Sequence, residues 1–169
     1  MYKRQIHQER YIDQLAVDYK DQFTINEMPH PVSKEERTKF DRMEPAKDGE
    51  ETCDRKKYLE LIGKLVWPMS MTRPDIAMEI GALCAAVAAP TPHHYSMGLH
   101  VIGYLVRTRS LGITYGGRIR KPIGLDEMPP GFAKSSGLYV VHDSSFGTRP
   151  RPMGGHVMMY ANGAVSWSA

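Results

Sequence analysis

The sequence predicts an α+β chain in which a helical part precedes a three-stranded β-meander. Three observations predict it. Apolar residues recur at helical spacing in four segments up to residue 107. The last 32 residues are short runs of Val, Tyr, Met and Trp divided by glycine-bearing turns. Between them, residues 116–137 hold five glycines and three prolines, the composition of a tether.

Residues 1–33 read as a short strand and a helix. Ile12, Leu15, Ala16, Tyr19 and Phe23 share one face of a helix expected over 7–23, and Pro29 and Pro31 keep the chain extended beyond it. Residues 34–57 carry 16 charged side chains among 24, with Phe40 and Met43 the only large apolar ones. So little apolar surface cannot offset an ordering entropy of about 1–2 kcal/mol per residue. A mobile linker is expected there.

Residues 58–115 read as three helices and a strand. Tyr58, Leu61, Ile62 and Leu65 form a stripe expected to end near Trp67-Pro68. Thr72-Arg73-Pro74-Asp75 reads as a helix start, with Thr72 as cap, Pro74 in the first turn and Asp75 completing a capping box. Ile76, Ile80, Leu83, Cys84 and Val87 follow on one face until Pro90 and Pro92 break the helix. A third helix is expected over 93–107, with Met97, Val101, Tyr104 and Leu105 inward, then a strand over 111–115. In residues 138–169, strands are expected at 138–142, 155–161 and 164–167, with Asn162-Gly163 as a hairpin turn. Three such strands are half of a domain, because a sheet face needs covering, and the meander reads as truncated.

The net charge of +3 is unevenly spread. Residues 101–137 carry +4, through Arg107, Arg109, Arg118, Arg120, Lys121 and Lys134 against two acidic residues. Such a cluster suits nucleic-acid phosphates and equally suits a solvated surface. Two cysteines without Cys-x-x-Cys spacing exclude a disulfide scaffold and a structural zinc site. No run reaches the length of a membrane span and no apolar signal core follows Met1, so an intracellular protein, cytoplasmic or nuclear, is expected.

Few residues carry chemistry. His93, His94 and His100 with Cys84 match no zinc pattern, and helix-start and surface roles are expected for the histidines. Cys84 sits on an apolar stripe and reads as a buried thiol. Gly116-Gly117 and Gly154-Gly155 read as turns rather than phosphate loops. Asp143 closes the apolar run Leu138-Tyr139-Val140-Val141 and precedes Ser144-Ser145. A carboxylate fixed there suits a divalent cation, although an Asp at a strand end also serves as a turn former.

Several motifs resemble one family in order. Leu61-Ile62-Gly63-Lys64-Leu65 and Met71-Thr72-Arg73-Pro74-Asp75-Ile76-Ala77 resemble a signature of copia-type retrotransposon polyproteins. Ile6-His7-Gln8 with Tyr11-Ile12 upstream is similar to the same source, as are Pro90-Thr91-Pro92-His93-His94, Val101-Ile102-Gly103-Tyr104-Leu105 and Leu111–Tyr115 downstream. Val141-His142-Asp143-Ser144-Ser145-Phe146 and Gly163-Ala164-Val165-Ser166-Trp167-Ser168 complete the series.

The resemblance implies a helical polymerase-derived subdomain, the C-terminal part of a reverse transcriptase, over residues 1 to about 115. It implies the first strands of a ribonuclease-H-like domain from about 137. It places Asp143 on the first metal-binding aspartate of a nuclease that uses two Mg²⁺ ions to cut the RNA strand of an RNA–DNA hybrid. Ser145 and Phe146 stand where the family has an aspartate and a tryptophan. With one such carboxylate, the chain alone is expected to be inactive and to need no Mg²⁺. Its partner is expected to be an RNA–DNA hybrid or other nucleic acid, contacted through Arg107, Arg109, Arg118, Arg120 and Lys121, with neither a membrane nor a small-molecule substrate. A non-enzymatic nucleic-acid-binding module and a functionless transposon relic are the alternatives.

Overall fold

The structure, a computed structural model, describes residues 4–25, 31–32, 43–116, 138–145, 153–160 and 163–168. Within them the chain is mixed helix and sheet. Strand β1 (Arg4–His7) leads into helix α1 (Glu9–Asp18). Three helical stretches follow: α2 (Arg55–Met71), a 3₁₀ turn (Pro74–Ile76) continuing as α3 (Ala77–Ala85), and α4 (Pro92–Arg107). Strand β2 (Gly112–Tyr115) pairs antiparallel with β1, so the chain returns to its start after 105 residues, with Gln5 opposite Thr114 and Ile6 opposite Ile113. Then β3 (Tyr139–Ser145), β4 (Met153–Tyr160) and β5 (Gly163–Ser168) form an antiparallel meander in that order.

The core lies where the helical stripes meet. Ile12, Leu15, Tyr58, Leu61, Leu65, Ile80, Leu83, Val101, Ile102 and Leu105 are all buried in one cluster. Each such side chain contributes about 1.5–3 kcal/mol on leaving water, so these helices are held by packing rather than by propensity. Gly98 of α4 lets Leu61 of α2 approach: a Cβ there would lie 2.7 Å from Leu61 Cδ2.

Before the meander, four expectations are corrected. The stretch expected as a mobile linker over 34–57 is docked from residue 43 onward. Residues 33–42 lie outside the described residues, but the stretch from residue 43 docks, with Ala46 N–H donating to Ala89 O and Cys53 N–H to Pro90 O, and Asp54 caps α2. Charge counting misses this because main-chain hydrogen bonds add to the few apolar contacts, Met43 in the core and Cys53 against it. The expected helix over 7–23 ends at Asp18, although Tyr19 still reaches the core.

Helix α2 does not stop at Trp67-Pro68 but runs through Pro68 to Met71. A proline there removes the amide that would bond the carbonyl of Lys64, four residues earlier. The Tyr11 hydroxyl from α1 donates to that carbonyl instead, at 2.9 Å. Finally, Thr72 and Asp75 do not form a capping box. The Thr72 hydroxyl donates to Gln8 Oε1 at 2.7 Å, and Asp75 turns to Arg73 and Tyr104. The capping box exists instead at α4, where Thr91 accepts from His94 N–H and His94 Nδ1 accepts from Thr91 N–H.

The meander also differs in register. Asp143 lies within β3, opposite Gly155, and Ser144 lies opposite Gly154, so these glycines are strand residues rather than a turn. Gly163 opens β5 opposite Tyr160, and a Cβ on it would overlap the Tyr115 ring. Close packing explains that glycine.

Tyr11→Phe tests the relayed carbonyl. Deleting only the hydroxyl leaves a partly buried C=O without its donor and is expected to cost about 1 kcal/mol in urea unfolding. An unchanged midpoint would show that water replaces Tyr11 at no cost.

Candidate functional site

Asp143 is held on the backbone ladder of β3 between His142, opposite His156, and Ser144. It is the only acidic residue after Glu127. Among the described residues no group of three or more His, Cys, Asp or Glu could hold a metal ion. A two-cation centre, which needs several carboxylates, does not fit the residues present.

Of the basic cluster, Arg107 and Arg109 are among the described residues. Arg118, Arg120, Lys121 and Lys134 lie outside them. Arg107 is exposed in the last turn of α4, which suits the negative end of the helix dipole. Arg109 reaches the carboxylates of α1, with Nε 3.4 Å from Glu9 and Nη1 3.3 Å from Asp13. That guanidinium ties the end of α4 to α1.

His94 is buried rather than on the surface, and burial holds its pKa below the ordinary value, helped by neighbouring His93 and opposed by Glu50. Cys84 is half-buried, and burial pushes its thiol up, the opposite of what a nucleophile needs.

The motif Thr72-Arg73-Pro74-Asp75 builds a charged knot that spacing alone did not show. The Arg73 side chain is 1 % exposed. Its Nε donates to Asp75 Oδ1 at 2.9 Å and its Nη2 to Asp75 Oδ2 at 2.8 Å. The Thr108 carbonyl accepts from Nη1 at 3.2 Å and the Thr108 hydroxyl from Nη2 at 2.7 Å. The Tyr104 hydroxyl donates to Asp75 Oδ2, and its ring lies 5.3 Å under the guanidinium. Burial, then the negative charge of Asp75 and the hydrogen bond donated to it, pushes the Tyr104 phenol up to about 12.

The outer face of α2 is the remaining feature. Leu59, Gly63, Trp67 and Met71 follow at steps of four, so they form one row along the helix. All are exposed, Trp67 by 50 %. Gly63 sits in the middle of the helix, where glycine costs about 1 kcal/mol relative to alanine. A Cβ there would meet nothing within 4 Å, so no packing inside the chain requires the gap. Exposed Lys56 lies two turns before Gly63 on the same side. The gap at Gly63 and the half-exposed Trp67 indole leave an open, partly apolar row along this face of α2. The signal was available in the sequence as a glycine interrupting a helical stripe one turn before a tryptophan.

No family model matches the chain, and no solved structure matches it. Over 58 residues it is 33 % identical to secreted RxLR effector protein 161 of Plasmopara viticola, covering 34 % of this chain and 41 % of that protein. Over 114 residues it is 27 % identical to a putative transposon Ty5-1 protein of Saccharomyces cerevisiae, covering 66 % of this chain and 32 % of that protein. The chain is retrotransposon-related in sequence. It spans less than half the length of either relative. No helix among the described residues is long and apolar enough to cross a membrane.

The capping box of α4 makes a pH prediction. His94 holds its neutral form in the folded chain, because a protonated Nδ1 cannot accept from Thr91 N–H and its charge would face the positive helix end. Its folded pKa is therefore below the unfolded value near 6.5, and its contribution to stability is complete above that value. As pH falls through 6.5 the unfolded chain takes up the proton first and stability declines. In urea unfolding at pH 7.5 and 5.0, His94→Gln keeps a side-chain acceptor at this position and is expected to lose less than the unsubstituted chain. Equal losses would show that His94 does not drive the change.

Proposed function

We propose that this chain is a segment of a copia-type retrotransposon polyprotein, running from the C-terminal part of a reverse transcriptase into the start of a ribonuclease-H-like domain. Its own part is to grip the RNA–DNA hybrid rather than to cleave it. The ordered series of family motifs and the similarity to the Ty5-1 transposon protein support the reading. The observation that carries it is the Gly63–Trp67 face of α2.

An A-form-like hybrid offers a wide, shallow minor groove of sugars and base edges. A helix can lie against such a surface only where its side chains are short or flat. Gly63 removes one side chain at the point of closest approach, Trp67 supplies a flat apolar plate, and exposed Lys56 supplies a cation for the flanking phosphate. Asp143 is the first carboxylate of the nuclease site. The remaining acidic groups belong to the rest of the polyprotein, so the chain alone does not hydrolyse RNA.

Binding of a fluorescent RNA–DNA hybrid, followed in the isolated chain at fixed salt, tests this. Trp67→Ala is expected to weaken binding about tenfold, since covering the exposed half of the indole contributes about 1–2 kcal/mol at about 25 cal/mol per Å². Gly63→Leu separates binding from folding, because it raises stability by about 1 kcal/mol through helix propensity while closing the gap and weakening binding. Grafted into a copia-type polyprotein in place of the matching segment, the chain is expected to support hybrid cleavage that Asp143→Asn abolishes. Unchanged hybrid affinity in both α2 variants would refute the grip, and a fully active Asp143→Asn graft would refute the assignment of the aspartate.

A further inference from the structure

The structure assigns Trp167 as the positioning residue that pins the meander carrying Asp143 to the helix carrying Trp67; its use in positioning the nuclease rests on the function proposed above. The last turn of α2 explains why a pin sits here. Thr72 N–H and Arg73 N–H both donate to the Pro68 carbonyl, at 3.0 and 2.9 Å. The Met69 carbonyl is therefore deprived of the amide of Arg73, four residues on, which would bond it if the helix continued. The Trp167 indole N–H donates to that carbonyl at 2.6 Å, across 98 residues of sequence. A carbonyl at a helix end carries partial negative charge from the helix dipole, which strengthens such a bond.

A second bond fixes the other end of β5. The Tyr115 hydroxyl donates to the Ala164 carbonyl at 2.8 Å, and Gly163 admits the Tyr115 ring. Two bonds near opposite ends of one six-residue strand fix its direction as well as its place. The strand ladder then carries that placement outward, because Trp167 pairs with Val157 and Val157 with Val141, two residues before Asp143. Around the pin the contact is loose: a cavity of about 300 Å³ lies between the two parts, lined by Asp75 and Glu79 on one side and by His142, His156 and Trp167 on the other. With open space there, the two hydrogen bonds set the meander's position together with the close packing of Gly163 on Tyr115 and Ile113. Trp67 precedes Met69 by two residues on the same helix, so the hybrid-facing surface and the pin share one rigid element.

The full chain tests this through its two tryptophans and one spin-label pair. Only Trp67 and Trp167 give indole N–H resonances. Trp167 is expected to show the slower exchange with water and Trp67 the faster. With Cys53→Ser and Cys84→Ala as background, spin labels at Leu59→Cys and Val140→Cys are expected to report one narrow distance. Trp167→Phe keeps a ring and deletes the donor, and is expected to broaden that distance while the helical circular dichroism and its unfolding midpoint stay the same. Adding Tyr115→Phe should broaden it further. A narrow distance persisting in the doubly substituted chain, or equally fast exchange of both indoles, overturns the pin. The failures are distinguishable: broadening on Trp167→Phe together with unchanged hybrid affinity in the Trp67 variant refutes the function reading and leaves the pin standing.

Discussion

A single guanidinium organises the helical part. Moving a charge out of water costs several kcal/mol unless it is paired and hydrogen-bonded. Arg73, 1 % exposed, survives burial because the Asp75 carboxylate chelates it, Thr108 accepts twice from it and the Tyr104 ring lies under it. Those partners come from the turn that starts α3 and from the last turn of α4 and the residue capping it. The knot therefore sets the angle between elements that apolar packing alone would allow to slide.

The surroundings follow from that placement. With Arg73 drawn inward, its amide bonds Pro68 rather than Met69, and the Met69 carbonyl is left for Trp167. With Thr108 fixed, Leu111 N–H reaches the Thr108 carbonyl and the chain turns into β2, which closes onto β1. Arg109, one residue past the knot, swings to Glu9 and Asp13 and so ties α1 into the same corner. The knot, the carbonyl left for Trp167 and the β1–β2 closure thus meet at the C-terminal end of α2, while its outer face carries Gly63 and Trp67.

The apolar part of this arrangement was legible in the sequence and the polar part was not. Tyr58, Leu61, Ile62 and Leu65, then Ile76, Ile80 and Leu83, then Met97, Val101, Tyr104 and Leu105 are buried as their spacing predicts, since packing follows helical periodicity. Thr72 and Asp75 were misread because capping is a local rule, whereas their partners, Gln8 and Tyr104, lie 64 and 29 residues away. Pro68 misled for the same reason: the donor that lets α2 run past it is Tyr11, 53 residues from the carbonyl it satisfies. The second half of the charged stretch docks through backbone amides as well as through Met43 and Cys53, and composition does not register the amides. Of the candidate site, Asp143 came from its place after an apolar run and from motif order, and the basic cluster includes an ion-paired Arg109. Gly63 and Trp67 were in plain view as part of a motif, but only the open space beside Gly63 shows that no internal packing needs it.

The account stands on Arg73 being held by Asp75, and the two members of that pair are not equivalent. Arg73 is buried, while the Asp75 side chain is 36 % exposed. Asp75→Ala leaves a buried guanidinium without its counter-charge and is expected to cost about 3–5 kcal/mol in urea unfolding. Arg73→Met replaces the buried charge with an apolar chain of similar length and leaves a carboxylate that can turn to water, so it is expected to cost clearly less, about 1–2 kcal/mol. Unfolding free energies of the two variants, measured side by side, decide the matter. A larger loss for Asp75→Ala is the predicted result, and an equal or larger loss for Arg73→Met would contradict the account.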